Sequence, residues 1–175
     1  MTRVSAESMR MPFSSKAELL ASGRHRPEVV EELYDLWQVA HTEAMELAAR
    51  LPKVFGDPPR PDITLHVARG YDDEWSLSQE RGSELAAQDP EQHWYEVTAE
   101  AVNEFQEYFS FTNAEGCRFY LPAYLRHYLA DFPLSRYNAV VIACVTRSHF
   151  DLLITQQRAF VDEFLALCQA WDSDP

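Results

Sequence analysis

At 175 residues and 20.2 kDa, with 46% hydrophobic and 13% aromatic residues, the chain has the material for one domain with a sizeable core. A formal charge of -13 and a pI near 4.8 exclude nucleic-acid backbone binding, which needs cations to displace condensed counterions. No window reaches the roughly 18 uninterrupted apolar residues of a membrane span, and Met1 to Met11, broken by Arg3, Glu7 and Arg10, holds no signal-peptide core.

The charge is unevenly placed. Twelve of the 28 acidic residues fall between Tyr71 and Glu115, against one basic residue, Arg81, so this stretch alone carries -11. Such a concentrated field points to a specific surface rather than to general solubility. Cys117, Cys144 and Cys168 are odd in number, widely spaced and set among apolar neighbours. They argue against a disulfide framework and a CxxC metal site, and a reducing cytoplasm is the expected home.

In chain order, residues 1–14 read as a loose leader, 15–171 as one globular domain and 172–175 as a tail. Ser15 with Glu18 forms a capping-box pattern for a short helix ending near Gly23. Val30, Leu33, Trp37, Ala40, Ala44, Leu47 and Leu51 recur at steps of three and four. They predict a long amphipathic helix opened by Pro27 and closed by Pro52. After the turn-rich FGDPPRPD run, Ile63 to Val67 alternates well enough for a short strand, and Leu77 to Ala87 for a short helix.

From Glu91 to Phe109 a second long helix is expected. At 100° per residue, Trp94, Val97, Ala101, Phe105 and Tyr108 share one side, and Glu96, Glu100, Glu104 and Glu107 share another. Like charges four apart cost roughly 0.2–0.5 kcal/mol each, so the stripe costs stability unless a cation faces it, and it reads as a solvated face, a docking surface or a match for the chain's own arginines. Cys117 to Leu121 reads as extended, because a residue before proline is pushed towards β geometry, and Pro122 then opens a helix. Ala139 to Val145 fits either a buried strand or a buried helix. Thr155 is the expected cap of a last helix buried through Phe160, Val161, Phe164, Leu165 and Cys168.

The stretch Phe109-Ser110-Phe111-Thr112, continuing through Glu115-Gly116-Cys117-Arg118-Phe119-Tyr120-Leu121-Pro122-Ala123-Tyr124-Leu125, resembles the central signature of an uncharacterised bacterial domain family of unknown function. That family's pattern is sF.tpeGfrfYLPAYl, with a Trp-containing helix before it and a Thr-x-Gln start to an FL helix after it. Trp94 answers the first, and Thr155, Gln157, Phe164 and Leu165 the second. The likeness spans about residues 30–170 and departs at Cys117, where the family more often has an aromatic or apolar residue. It implies a compact, mostly helical domain and brings no catalytic residue.

The expected fold is therefore mainly α, one compact helical domain, with two short strands at 63–67 and 139–145. Its core should include Leu33, Trp37, Leu47, Trp94, Val97, Phe105, Phe119, Tyr120, Leu121, Tyr124, Leu125, Phe160 and Phe164. Arg118, Arg126 and His127 thread polar groups through its most apolar part. A buried unpaired guanidinium is costly, so Arg118 is expected to pair with Asp72, Asp73 or Glu74.

No metal or cofactor is expected: there is no HExxH, HxH, calcium loop, GxSxG or glycine-rich phosphate loop. The first functional expectation is a non-catalytic protein that docks a basic protein partner through Glu96, Glu100, Glu104 and Glu107, for example as a neutralising inhibitor or immunity-type protein. Its rival is a small enzyme or ligand-binding domain with a pocket around Asp72, Asp73, Arg118, Tyr120, Tyr124 and His127. A third, a subunit of a larger assembly, predicts an exposed apolar patch on the long helix from Pro27 to Leu51.

Overall fold

The run from Gly116 to Leu125 is buried on almost every side, which explains both the architecture and the loss of periodicity in the sequence there. In the computed structural model, which describes residues 14–23, 26–74, 76–135 and 137–171, this run lies inside a helix, α8 (Ala114–Asp131). A helix that is apolar all round shows no amphipathic stripe. Phe119, Tyr120, Leu121, Ala123, Tyr124 and Leu125 are all within 1% of complete burial. The expected extended stretch at 117–121 is thus helical, and Pro122 sits in the helix interior rather than at its start. Lacking an N–H, Pro122 leaves the Arg118 carbonyl without its helical partner, a defect of about 3 kcal/mol that the surrounding core offsets. Asn113 caps the helix by accepting from the Gly116 N–H at 2.9 Å.

The other elements wrap this axis. Ser15 and Glu18 form the expected capping box of α1 (Lys16–Ala21). The long amphipathic helix, α2 (Pro27–Ala48), lays Val30, Ala40, Ala44 and Leu47 inward and packs on α8, while Leu33 and Trp37 are only half-buried. It stops at Ala48, and Pro52 instead occupies the first turn of α3 (Leu51–Phe55), where its missing N–H costs nothing.

Neither expected strand forms among the described residues. Thr64 is the N-cap of α4 (Leu65–Asp73), which packs against α5 (Gln79–Ala86). Five residues of alternation were too few to separate the periods, since Leu65 with Ala68 and Val67 with Gly70 are also helical neighbours. Gly70 serves packing rather than a turn: a Cβ there would stand 2.5 Å from Leu85 Cδ1. Ala139 to Val145 resolves as helix α9 (Ala139–Thr146), and α10 (Thr155–Trp171) buries Phe160, Val161, Phe164 and Cys168. Thr155 is the first residue of α10, and Gln157 Oε1 accepts from the Ile154 N–H at its start.

The expected helix from Glu91 to Phe109 is broken into a 3-10 turn (Trp94–Glu96), α6 (Ala99–Glu104) and α7 (Tyr108–Phe111). Across the breaks Trp94, Val97, Val102, Phe105 and Tyr108 all still reach the core. Thr98 caps α6 by accepting from the Ala101 N–H. Freed carbonyls at the breaks are met from α8. Arg126 donates to Tyr95 and Val97 at 2.6 and 2.7 Å, and the Tyr124 hydroxyl donates to Phe105 at 2.5 Å.

Candidate docking surface and the buried polar network

Because the helix is broken, Glu96, Glu100, Glu104 and Glu107 do not share one face. The Glu96 carboxylate folds back to accept from the Gln92 and His93 N–H groups at 2.7 and 3.1 Å. Those bonds hold it below the usual carboxylate range. Glu100 is exposed in the first turn of α6, and bonds from its own backbone N–H and the Thr98 hydroxyl hold it low. Glu104 and Glu107 face a cation that lies just before the acidic segment in sequence. Arg69 on α4 reaches Glu104 Oε1 at 3.0 Å and Glu107 Oε1 at 2.8 Å. Sequence reading leaves the stripe without a cation of its own, and Arg69 supplies one to half of it.

The six residues of the alternative pocket are not brought together. Asp72 and Asp73 are exposed on α4, while Tyr120 and Tyr124 are sealed in the core. Tyr124 donates to the Phe105 carbonyl, and His127 Nε2 lies 2.8 Å from the Val97 carbonyl oxygen. Arg118 is half-buried with an Nε that has no hydrogen-bond partner among the described residues. Its expected salt bridge does not form: Glu74 pairs instead with Arg81 at 3.1 Å. A cleft of about 430 Å3 opens between α4 and α5, lined in part by Arg60, Asp62, Tyr71 and Ser83, and none of the six lines it.

A polar network that sequence reading missed lies behind that cleft. Asp89, 5% exposed, accepts from the His66 N–H at 2.9 Å and meets His66 Nδ1 at 2.6 Å. It thereby caps α4, a task Thr64 leaves undone because its hydroxyl has no partner among the described residues. Buried Glu91 accepts from the Tyr120 hydroxyl at 2.5 Å. Arg60 ties the same loop by donating to the carbonyls of Ala86, Asp89 and Glu91 at 2.8–2.9 Å. The signal for this network was weak, since its members are 23 to 31 residues apart and share no motif. All three thiols are free and buried, and burial pushes Cys117 up to about 12, so it is a poor nucleophile. Among the described residues, no three His, Cys, Asp or Glu side chains converge as metal ligands, and no helix is long and apolar enough to cross a membrane.

Residues 43–173, which include all of α3 to α10, match a family of unknown function, DUF6714. The chain belongs to that family. No curated protein and no solved structure matches the chain. The match takes in the whole of the buried α8 helix and the broken segment it supports, but it begins part-way along α2.

Arginine use is unusual across this fold. Arg60, Arg126 and Arg158 each fork over backbone carbonyls, Arg158 binding Leu153 and Phe150 at 2.8 and 2.7 Å. None of the three makes a carboxylate ion pair among the described residues. Three of the scarce cations therefore neutralise no side-chain acid. Asp72, Asp73 and Glu80 on α4 and α5, and Glu28, Glu32, Asp35 and Glu46 on α2, have no ion-pair partner among the described residues.

Proposed function

We propose that this chain is a non-catalytic binding domain that docks a basic protein partner. The observation that carries the reading is the surplus of exposed carboxylates left when Arg60, Arg126 and Arg158 turn to backbone carbonyls. Such a surplus repels itself in the free protein and is relieved when a partner brings Lys or Arg, and its field speeds encounter. Of the four glutamates first considered, Glu100 keeps a docking role. Glu96, Glu104 and Glu107 already serve the fold. Three free buried thiols favour a reducing compartment, and we place the protein in the cytoplasm.

The test is affinity capture with wild-type protein and with a variant carrying Glu100→Lys, Asp72→Lys, Asp73→Lys and Glu32→Lys. The wild type is expected to retain a basic protein whose capture fades as ionic strength shortens the Debye length from about 10 Å to about 3 Å. The variant is expected to lose it while melting at the same temperature. Identical captured proteins from both would overturn the reading.

A further inference from the structure

The outer face of α2 is a second feature that the acidic segment does not explain. Its 22 residues include Glu28, Glu31, Glu32, Asp35, Glu43 and Glu46 and no Lys or Arg. Along one flank of its buried face, Val29, Glu32, Leu36, Val39, Glu43 and Glu46 recur at alternating steps of three and four, the spacing of a coiled-coil seam. Val29, Leu36 and Val39 are 43%, 48% and 51% exposed. Helix α1 does not account for this face, since its Lys16 meets Glu31, which lies on a different side of α2.

Towards its C-terminal end the seam runs into a hollow between α2 and α10. Glu43, Glu46, Leu47, Arg50, Glu163 and Leu167 line about 270 Å3 there. Arg50 is held by Glu163 at both nitrogens, and Glu43 accepts from the Trp171 indole N–H at 3.0 Å. Glu46 has no ion-pair partner among the described residues. The seam from Val29 to Glu46 spans about 26 Å at 1.5 Å per residue. Its N-terminal part sets Val29, Leu36 and Val39 among Glu28, Glu32 and Asp35, and its C-terminal part is anionic.

We infer that this seam is the seat of a basic amphipathic helix from the partner protein. The inference rests on the docking function proposed above and names where and how the partner binds. An amphipathic helix lays its apolar face in such a groove at i, i+3, i+4 and i+7. Its apolar residues cover Val29, Leu36 and Val39, its flanking Lys or Arg residues face Glu28, Glu32 and Asp35, and one reaches the hollow at Glu46. Charge decides the occupant. A second copy would oppose one cation-free α2 to another, six carboxylates to six, so self-pairing along this face is disfavoured.

The probe is a synthetic helical peptide of about 18 residues, five turns at 3.6 per turn, with Leu on one face and Lys or Arg elsewhere. A scrambled isomer of identical composition is the control, and labelled-peptide anisotropy against the full chain is the readout. The periodic peptide is expected to bind at least about tenfold tighter than its isomer, a gap of about 1.4 kcal/mol. Leu36→Asp with Val39→Asp is expected to weaken it by about tenfold or more. Glu32→Lys with Asp35→Lys gives the same loss without touching apolar packing. Equal binding of the two isomers, or full binding by both double variants, overturns the inference. So does light scattering that shows a dimer abolished by Leu36→Asp. If the α2 variants still capture the natural basic partner and Glu100→Lys does not, the docking function stands and this location for it falls. If no reversal matters, both fall.

Discussion

The Arg69 guanidinium carbon lies 3.9 Å from the ring centroid of Phe105, while its nitrogens hold Glu104 and Glu107. One side chain thus stacks on a core aromatic, binds two carboxylates, and donates to the Glu104 carbonyl where α6 ends. A pair with an exposed partner contributes little alone, but stacking and a second carboxylate add to it. Arg69→Ala is expected to lower stability by about 1–2 kcal/mol, a drop of roughly 2–8 °C in Tm at this size. Arg69→Lys should recover less than half, because an ammonium cannot form the fork. Chemical and thermal unfolding of the three proteins checks this.

Arg126 supports the break at Val97 rather than a salt bridge. Removing it leaves the Tyr95 carbonyl without its donor and the Val97 carbonyl with His127 Nε2 alone, and hydrogen bonds from a charged group contribute about 1.5–3 kcal/mol each before discounting for exposure. Arg126→Ala is expected to cost about 2–3 kcal/mol in urea unfolding. Amide exchange at residues 94–98 should quicken more than exchange in α10, because the loss is local.

Gly116 lies in the first turn of α8, where a Cβ would stand 2.0 Å from Thr112 Oγ1 and 2.5 Å from the Tyr108 hydroxyl. Helix propensity favours Ala over Gly by about 1 kcal/mol. Here overpacking wins, because Tyr108 is fully buried and its hydroxyl is fixed to the Ile63 carbonyl at 2.8 Å. Gly116→Ala is expected to destabilise by roughly 2–4 kcal/mol. An unchanged urea midpoint would mean that α7 and α8 are freer to separate than this packing allows.

Stability should fall on mild acidification through His127. Burial is the main cause that lowers its folded pKa, with the neighbouring Arg126 charge adding to it. The folded state thus binds this proton less readily than the unfolded chain, whose histidines titrate near about 6.5. The contribution is complete above about pH 6.5 and is lost as pH drops towards the lower folded value. Glu96 and Glu163 act further down. Backbone N–H groups hold the first low and Arg50 the second, so their contributions persist above the unfolded carboxylate range and vanish as pH falls through the folded values. In unfolding curves from about pH 8 to about pH 2, His127→Gln should flatten the first decline and spare the second.

Where sequence reading succeeded and failed has one physical basis. Helices with one wet face announced themselves: Ser15 with Glu18, the Val30-to-Leu47 repeat and the Phe160-to-Cys168 face all stand close to where periodicity put them. Helix α8 has no wet face through its middle, so Phe119-Tyr120-Leu121 carried no period and Pro122 was read as a boundary. The segment from Glu91 to Phe109 failed differently. Its pattern suited one straight helix, but the breaks at Val97 and Phe105 depend on donors from Arg126 and Tyr124, about 20 to 30 residues away. The partners of Glu104, Glu107 and Asp89 were hidden for the same reason, because side-chain pairing across folded elements leaves no trace in local spacing.

Arginine carries nearly all the structural anchoring in this fold, and only two of its 15 basic residues, Lys16 and Lys53, are lysines. Lys53 is exposed, and Lys16 holds Glu31 at the protein surface. Acylation or any other amine-directed chemistry therefore finds almost nothing to unsettle. Bound to a partner, the domain offers side-chain carboxyls in abundance and two lysine amines, so carboxyl-to-amine coupling will run mostly in one direction, from its acids to the partner's lysines.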